Sequence, residues 1–197
     1  MNGHPEAGDY TRLAATDGEA TARFARARWR DPFPGIPASL LNSADVYDYV
    51  RLTGMLFPFD AKNLKSASFE APIRGMCTWW DEKAERREID LQNAGDRLTL
   101  PPNSIAFVQV EPYFRLPEYI ALRFNLKITN VHRGILLGTG PLVDPGFEGR
   151  LLIPLHNLTT NSYHLTAGEG LIWIEFTKTS PLPRGAEKRE PDETFSR

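Results

Sequence analysis

The chain has 197 residues, with 23 Lys and Arg against 25 Asp and Glu, a size that suits one domain with tails and a charge balance that gives no general attraction to nucleic acid or anionic lipid. Cys77 is the only cysteine, which excludes an internal disulfide and a multi-cysteine zinc site within one chain, and with it the zinc-dependent cytidine deaminase signature. No apolar run approaches the roughly 20 residues that span a bilayer, and Met1 to Asp17 is polar without a signal-type segment, so a cytoplasmic protein with no membrane partner is expected.

Met1 to Asp9 reads as a mobile lead. Thr16 followed three residues on by Glu19 is a capping box for a helix over Glu19 to Arg30. Ala20, Phe24 and Ala25 or Ala27 give that helix a thin apolar face, while Arg23, Arg26, Arg28 and Arg30 make it basic. Two readings stay open for it: a solvated helix docked on a neighbour, or an arm reaching nucleic acid or an acidic face of a partner. Asp31-Pro-Phe-Pro-Gly-Ile-Pro37 cannot continue the helix, because proline removes backbone donors and enforces extended chain. Residues 1–33 are therefore expected to be an N-terminal extension with a basic helix, 34–180 the folded β domain, and 181–197 a mobile charged tail.

Within that domain Ser43 is expected to cap a short helix through Val46, Tyr49 and Val50, ending before Gly54. Short strands follow over Ser68 to Ile73, Gly75 to Trp80, Arg87 to Leu91, Arg97 to Leu100 and Ile105 to Val110, with Asp81 to Arg87 as a charged hairpin tip. The adjacent Trp79 and Trp80 predict one ring in the core and one at a surface, with stacking on a ligand as the other reading. Ile120, Leu122, Phe124, Leu126 and Ile128 alternate strictly with Ala121, Arg123, Asn125 and Lys127, the pattern of a strand buried on one face. Val143-Asp-Pro-Gly-Phe-Glu-Gly-Arg150 then places an acidic residue, a proline and two glycines between apolar runs, a constrained loop between strands with a carboxylate at its start. Short strands without βαβ spacing predict an all-β barrel or jelly roll.

Asp144-Pro-Gly-Phe-Glu-Gly149, the run Arg150-Leu-Leu-Ile-Pro-Leu-His-Asn157, and Ala167-Gly-Glu-Gly170 leading into Leu171 to Phe176 resemble the trimeric dUTPase / dCTP deaminase superfamily, on the side of its dCTP deaminase-like branch. The likeness is clear from Ile105 to Phe176. It extends back to Pro37 through Pro37 to Asn42, Glu88 to Gln92 and Leu98 to Pro102. It implies a dUTPase-like β-barrel, or distorted jelly roll, with short N-terminal helices. It also implies a homotrimer with sites between subunits, a pyrimidine deoxynucleotide as ligand, and Mg²⁺ carried with a bound triphosphate. On the same basis Asp144 takes the catalytic role, and Lys127, His132, Arg133, Gly146, Phe147, Gly149 and Arg150 the substrate contacts.

Counting from Asp144, the deaminase branch has a serine at the position of Lys127, an arginine at that of Val131 and a glutamate at that of Pro154. All three depart from its pattern. The glutamate bears most on chemistry, because deamination without zinc needs a group that moves protons between water, ring nitrogen and departing ammonia, and proline has none. A one-residue shift brings His132 or Arg133 to the arginine's place, and a displaced Glu148 or Glu169 is the candidate substitute for the carboxylate. Pro154 is also expected to mark a strand edge or bulge. In the dUTPase branch, the loop Asp activates water for attack on a phosphate; Asp144 stands there and Lys127 replaces an arginine, but the next residue is Ile128 where that branch has serine. No glycine-rich arm is legible in Pro181 to Arg189, although Arg184, Lys188 and Arg189 offer cations. Asp144 also has a purely structural reading, in which its side chain caps its own turn. His132 and His156 lack metal-ligand spacing, and no protein metal site is expected. Three classes of function remain open: an enzyme acting on a pyrimidine deoxynucleoside triphosphate as a dUTP diphosphatase or dCTP deaminase, a catalytically silent nucleotide-binding sensor, and a structural interaction module.

Overall fold

The computed structural model describes residues 11–81, 83–138 and 142–181; the lead Met1 to Asp9 and the tail cations Arg184, Lys188 and Arg189 lie outside them. Helix α1 spans Asp17–Ala27 and α2 spans Ser43–Thr53. The strands are β1 Leu56–Phe57, β2 Phe69–Trp80, β3 Arg86–Leu91, β4 Arg97–Leu100, β5 Ser104–Arg115 and β6 Ile120–Leu126. A one-turn helix α3, Ile128–Val131, precedes β7 Ile135–Leu137, β8 Leu142–Val143, β9 Glu148–Asn157, β10 Tyr163–Thr166 and β11 Gly170–Lys178. No helix among the described residues is long and apolar enough to cross a membrane.

Alternation in the sequence becomes a curled antiparallel sheet. The order is β7-β9-β5-β2-β11-β6-β8, with β1 added to β5 and β3 to β2, while β4 and β10 form a separate ribbon. The sequence divides Ser68 to Trp80 into two strands, but the chain keeps one and bends it. Phe69 to Pro72 pair with β11, whereas Ile73 to Trp79 pair with β5, and the register shifts between Ile73 and Cys77. Gly75, at φ 106°, lies inside that irregularity, which lets one strand serve both leaves of the half-barrel. Inward side chains of both leaves, among them Phe69, Ile73, Val108, Phe114, Leu122, Ile153, Leu155 and Phe176, are fully buried and form one core.

Strand β6 alternates as expected, with Ile120, Leu122, Phe124 and Leu126 inward. It stops one pair early, because the Asn130 amide donates to the Lys127 carbonyl at 2.9 Å and starts α3. Ile128, expected on the buried face, is exposed instead. Trp79 packs against the core while Trp80 is exposed, its ring edge-on to Phe107 at 6.0 Å. Pro154 pairs with Phe107 of β5 without a bulge, just past the last β7 pair, Leu137 with Leu155. Its carbonyl accepts from the Gly138 amide at 2.9 Å, so the missing donor faces the side where β7 has ended.

At the N-terminus Thr16 caps α1 by accepting from the Glu19 amide, but the Glu19 carboxylate takes the Ala15 amide at 2.8 Å rather than that of Thr16. The cap of α2 is Asn42, not Ser43: its side-chain oxygen accepts from the amides of Ala44 and Asp45. Asparagine before serine satisfies two of the orphan donors of the first turn, leaving Ser43 as the first helical residue. Two of the four arginines expected to make this helix basic are engaged with the protein instead. Arg23 is buried and donates to the carbonyl of Arg12 at 2.8 Å and to Glu19 at 2.9 Å. Arg28 reaches across to the β domain.

Candidate functional site

The loop that follows β8 is a tight turn held from below. The Phe147 amide closes it by donating to the Asp144 carbonyl at 3.3 Å, and Gly146 turns it at φ 84°. Gly146 donates to the Leu116 carbonyl at 3.0 Å, and Leu116 in return donates to Phe147 at 2.8 Å. A side chain at Gly146 would bring its Cβ to 3.0 Å from the Glu118 carboxylate, and one at Gly149 would stand 3.2 Å from the tip of the Phe147 ring. Gly146 is required by the turn, and at both positions a Cβ would crowd the end of a side chain, which would have to shift by a few tenths of an ångström. Phe147 itself packs against the core.

Asp144 is exposed, and its carboxylate makes no hydrogen bond among the described residues. Of the two readings of Asp144, capping of its own turn by the side chain is not what closes the turn: the backbone carbonyl does, and the carboxylate has no partner among the described residues. The neighbouring Glu118 and Glu148 are committed, both to Arg28, at 3.1 and 2.9 Å.

The other expected site residues lie elsewhere in the protomer. Leu122 pairs with Val143, the residue before Asp144, so Lys127, five residues further along, is about 17 Å from the loop at strand spacing. Lys127 is bound to Glu70 at 2.8 Å. Burial pushes the Glu70 carboxyl upward, but the Lys127 bond and charge outweigh it and hold the group below its ordinary range. Arg133 donates to the Tyr163 hydroxyl at 3.5 Å, which donates to Asn130 at 2.9 Å, while His132 is exposed at the end of α3. Arg150, opposite Tyr113 on β9, is directed toward the β2 irregularity, where a Cβ on Gly75 would be 3.3 Å from its Nη1. One chain therefore separates Asp144, Gly146, Phe147 and Gly149 from Lys127, His132 and Arg133 at the other end of β6.

The repairs considered for the lost deaminase positions do not assemble either. Glu148 is paired with Arg28 and lies six residues from Pro154 on the same strand, about 20 Å away. Glu169 accepts the Thr166 amide at 3.2 Å in its own turn. Val131 is exposed beside Lys127. No group of three or more His, Cys, Asp or Glu side chains placed to hold a metal occurs among the described residues. With Glu118 and Glu148 tied to Arg28, Asp144 is the one loop carboxylate without a partner among the described residues, which does not fit a resident Mg²⁺ that seeks six oxygen ligands.

The pairings of Arg28 with Glu118 and Glu148, and of Lys127 with Glu70, are not legible in the sequence. They join residues 57 to 120 positions apart, and no local pattern carries them.

The family model for dCTP deaminase-like proteins matches residues 40–179. The chain belongs to the dCTP deaminase-like family. A dCTP deaminase of Thermococcus kodakarensis is 26% identical over 129 residues, spanning 66% of this chain and 79% of that one. A dCTP deaminase of Psychrobacter sp. is 34% identical over 92 residues, 47% of each chain. The crystal structure of 2′-deoxycytidine 5′-triphosphate deaminase from Agrobacterium tumefaciens superposes with a TM-score of 0.60 at 14% identity, covering 72% of this chain and 47% of that chain. At that identity the likeness is one of fold, and the dCTP deaminase-like chain spans about half the length of the Psychrobacter and Agrobacterium proteins. Helix α1 precedes the matched region.

Proposed function

We propose that this dCTP deaminase-like protein binds a pyrimidine deoxynucleoside triphosphate, with its Mg²⁺, between the subunits of a homotrimer, and that it does not deaminate the base. The observation that carries this reading is an exposed Asp144 carboxylate with no partner among the described residues, on an Asp-Pro-Gly turn held by backbone hydrogen bonds, in a chain with Pro154 where the deaminase branch has its glutamate. Binding needs the turn, whose backbone can approach a base closely at Gly146 and Gly149. Deamination needs a titratable group that proline cannot supply and that Glu148 and Glu169, each engaged elsewhere, do not replace. Lys127, His132 and Arg133 lie too far from Asp144 to share a site within one protomer. The natural way to unite the two clusters is for one subunit to present its loop to the α3 end of another. The outer face of β2, β5, β9 and β7 supports such a contact, since Met76, Trp80, Ile105, Leu152 and Leu136 are all exposed there.

Attack on a phosphate is the second reading, favoured by the same free carboxylate. Asp144 would orient a water toward the triphosphate, while cationic side chains of the adjacent subunit hold its oxygens. The test is to incubate the purified protein with Mg²⁺ and each of dCTP, dUTP and the other common nucleotides, separate the products, and follow melting in parallel. Nucleotide-dependent stabilisation without product supports the main reading. dUMP from dUTP establishes the second, and dUTP or dUMP from dCTP overturns the claim that deamination is lost. Neither product nor stabilisation leaves the structural module.

A further inference from the structure

The segment that precedes the family-matched region reaches the candidate loop through the Arg28 side chain. Three pieces of chain meet there: the end of α1, residues 115–119, and residues 144–148. The Glu118 amide donates to the Arg28 carbonyl at 3.0 Å. The Tyr119 hydroxyl donates to the Ala27 carbonyl at 2.9 Å, and Arg115 pairs with Asp17 at 2.7 Å. These contacts fasten α1 to the segment whose Leu116 exchanges backbone hydrogen bonds with Gly146 and Phe147. Arg28 then closes the junction, with Nε on Glu118 at 3.1 Å and Nη1 on Glu148 at 2.9 Å. One guanidinium thus bridges the segment under the loop and the strand that leaves it, and it compensates two carboxylates that would otherwise repel each other and Asp144. The Asp144 carboxylate has no bond of its own among the described residues, so only the backbone of the turn fixes its position.

We propose that Arg28 is a positioning residue of the nucleotide site: through Glu118 and Glu148 it holds the Asp144 turn in its binding geometry, and docking of α1 is coupled to occupancy of that turn. The role in binding rests on the function proposed above; the clamp on the turn does not. By reciprocity, a ligand that binds the ordered turn also tightens α1 onto the domain.

The test uses the full chain and hydrogen exchange resolved to peptides over residues 144–149, with and without dCTP·Mg²⁺. Arg28→Ala is expected to speed exchange of the Gly146 and Phe147 amides at least tenfold without ligand and to weaken dCTP binding about tenfold, while β5 and β11 keep their protection. Arg28→Lys, which keeps the charge but not the two-armed reach, is expected to recover part of both effects. Glu148→Gln repeats the measurement from the other side should Arg28→Ala fail to fold. Loop exchange within twofold of wild type overturns the clamp, and a loosened loop with unchanged affinity overturns the positioning role. Failure of the wild type to bind any nucleotide, with the loop still loosened by Arg28→Ala, refutes the function and the positioning role while sustaining the clamp.

Discussion

Gly54, the cap of α2, lies against Ala20 of α1, and replacing it by alanine tests how tightly the N-terminal helix is built into the domain. Gly54 ends α2 at φ 64°, its amide bound to the Val50 carbonyl, a left-handed conformation that costs an alanine about 1–2 kcal/mol. A Cβ there would also stand 2.2 Å from the Ala20 carbonyl oxygen, a backbone atom that cannot swing aside, and overpacking of this kind costs about 1–3 kcal/mol. The sum is about 3 kcal/mol, which for a domain of this size lowers the melting temperature by about 6–12 °C. Gly95 separates the two contributions. Its φ is 96° but a Cβ there meets nothing within 4 Å, so Gly95→Ala reports backbone strain alone. Calorimetric melting of both variants, with hydrogen exchange over residues 17–27, is the assay. Gly54→Ala should lose clearly more stability than Gly95→Ala, or release α1 and raise exchange there. Equal melting losses with α1 protection unchanged would refute the close packing of α1 on α2.

Glu70 has a depressed pKa, so its pairing with Lys127 stabilises the fold above the ordinary carboxyl value of 4.5, and that contribution is lost as pH falls through the lower folded value. Glu70→Gln should therefore cost about 1 kcal/mol at neutral pH and progressively less in acid, read from urea midpoints across pH. Burial pushes the Cys77 thiol up to about 11, so a thiol reagent at pH 8 should leave native protein unlabelled and modify one cysteine per chain only after denaturant is added. Lys178 is buried with its ammonium on the carbonyls of Phe33 and Ile36 and on Asp31. Lys178→Ala strands those acceptors and should cost about 3–5 kcal/mol in urea unfolding, whereas an effect below about 1 kcal/mol would contradict the contact.

The sheet was legible in the sequence because strand alternation and turn residues are local signals. Ile120 to Leu126 and Arg97 to Leu100 emerge nearly as read, and the Asp-Pro-Gly turn lies where its residues demand it. Departures occur where tertiary contacts decide. The interruption read between Ile73 and Gly75 becomes an irregularity through which one strand, β2, serves two leaves of one sheet. Ile128 continues the alternation in sequence, yet a turn of helix begins there. Ser43 looks like a cap, but Asn42 reaches two amides. The candidate site divides in the same way. The residues of the loop were visible, whereas the pairing of Glu118 and Glu148 with Arg28 and the distance from Asp144 to Lys127 depend on contacts far apart in the chain.

If the Asp144 turn forms part of a nucleotide-binding site on a chain without base deamination, calorimetric titration of dCTP·Mg²⁺ into wild-type protein and into Asp144→Ala, with the cell contents then analysed for product, will show it. Saturable binding at one nucleotide per chain, a loss of about tenfold or more in affinity on removing the carboxylate, and unaltered dCTP at the end are expected. Absence of saturable heat, affinity indifferent to Asp144, or deaminated nucleotide in the cell would contradict this reading.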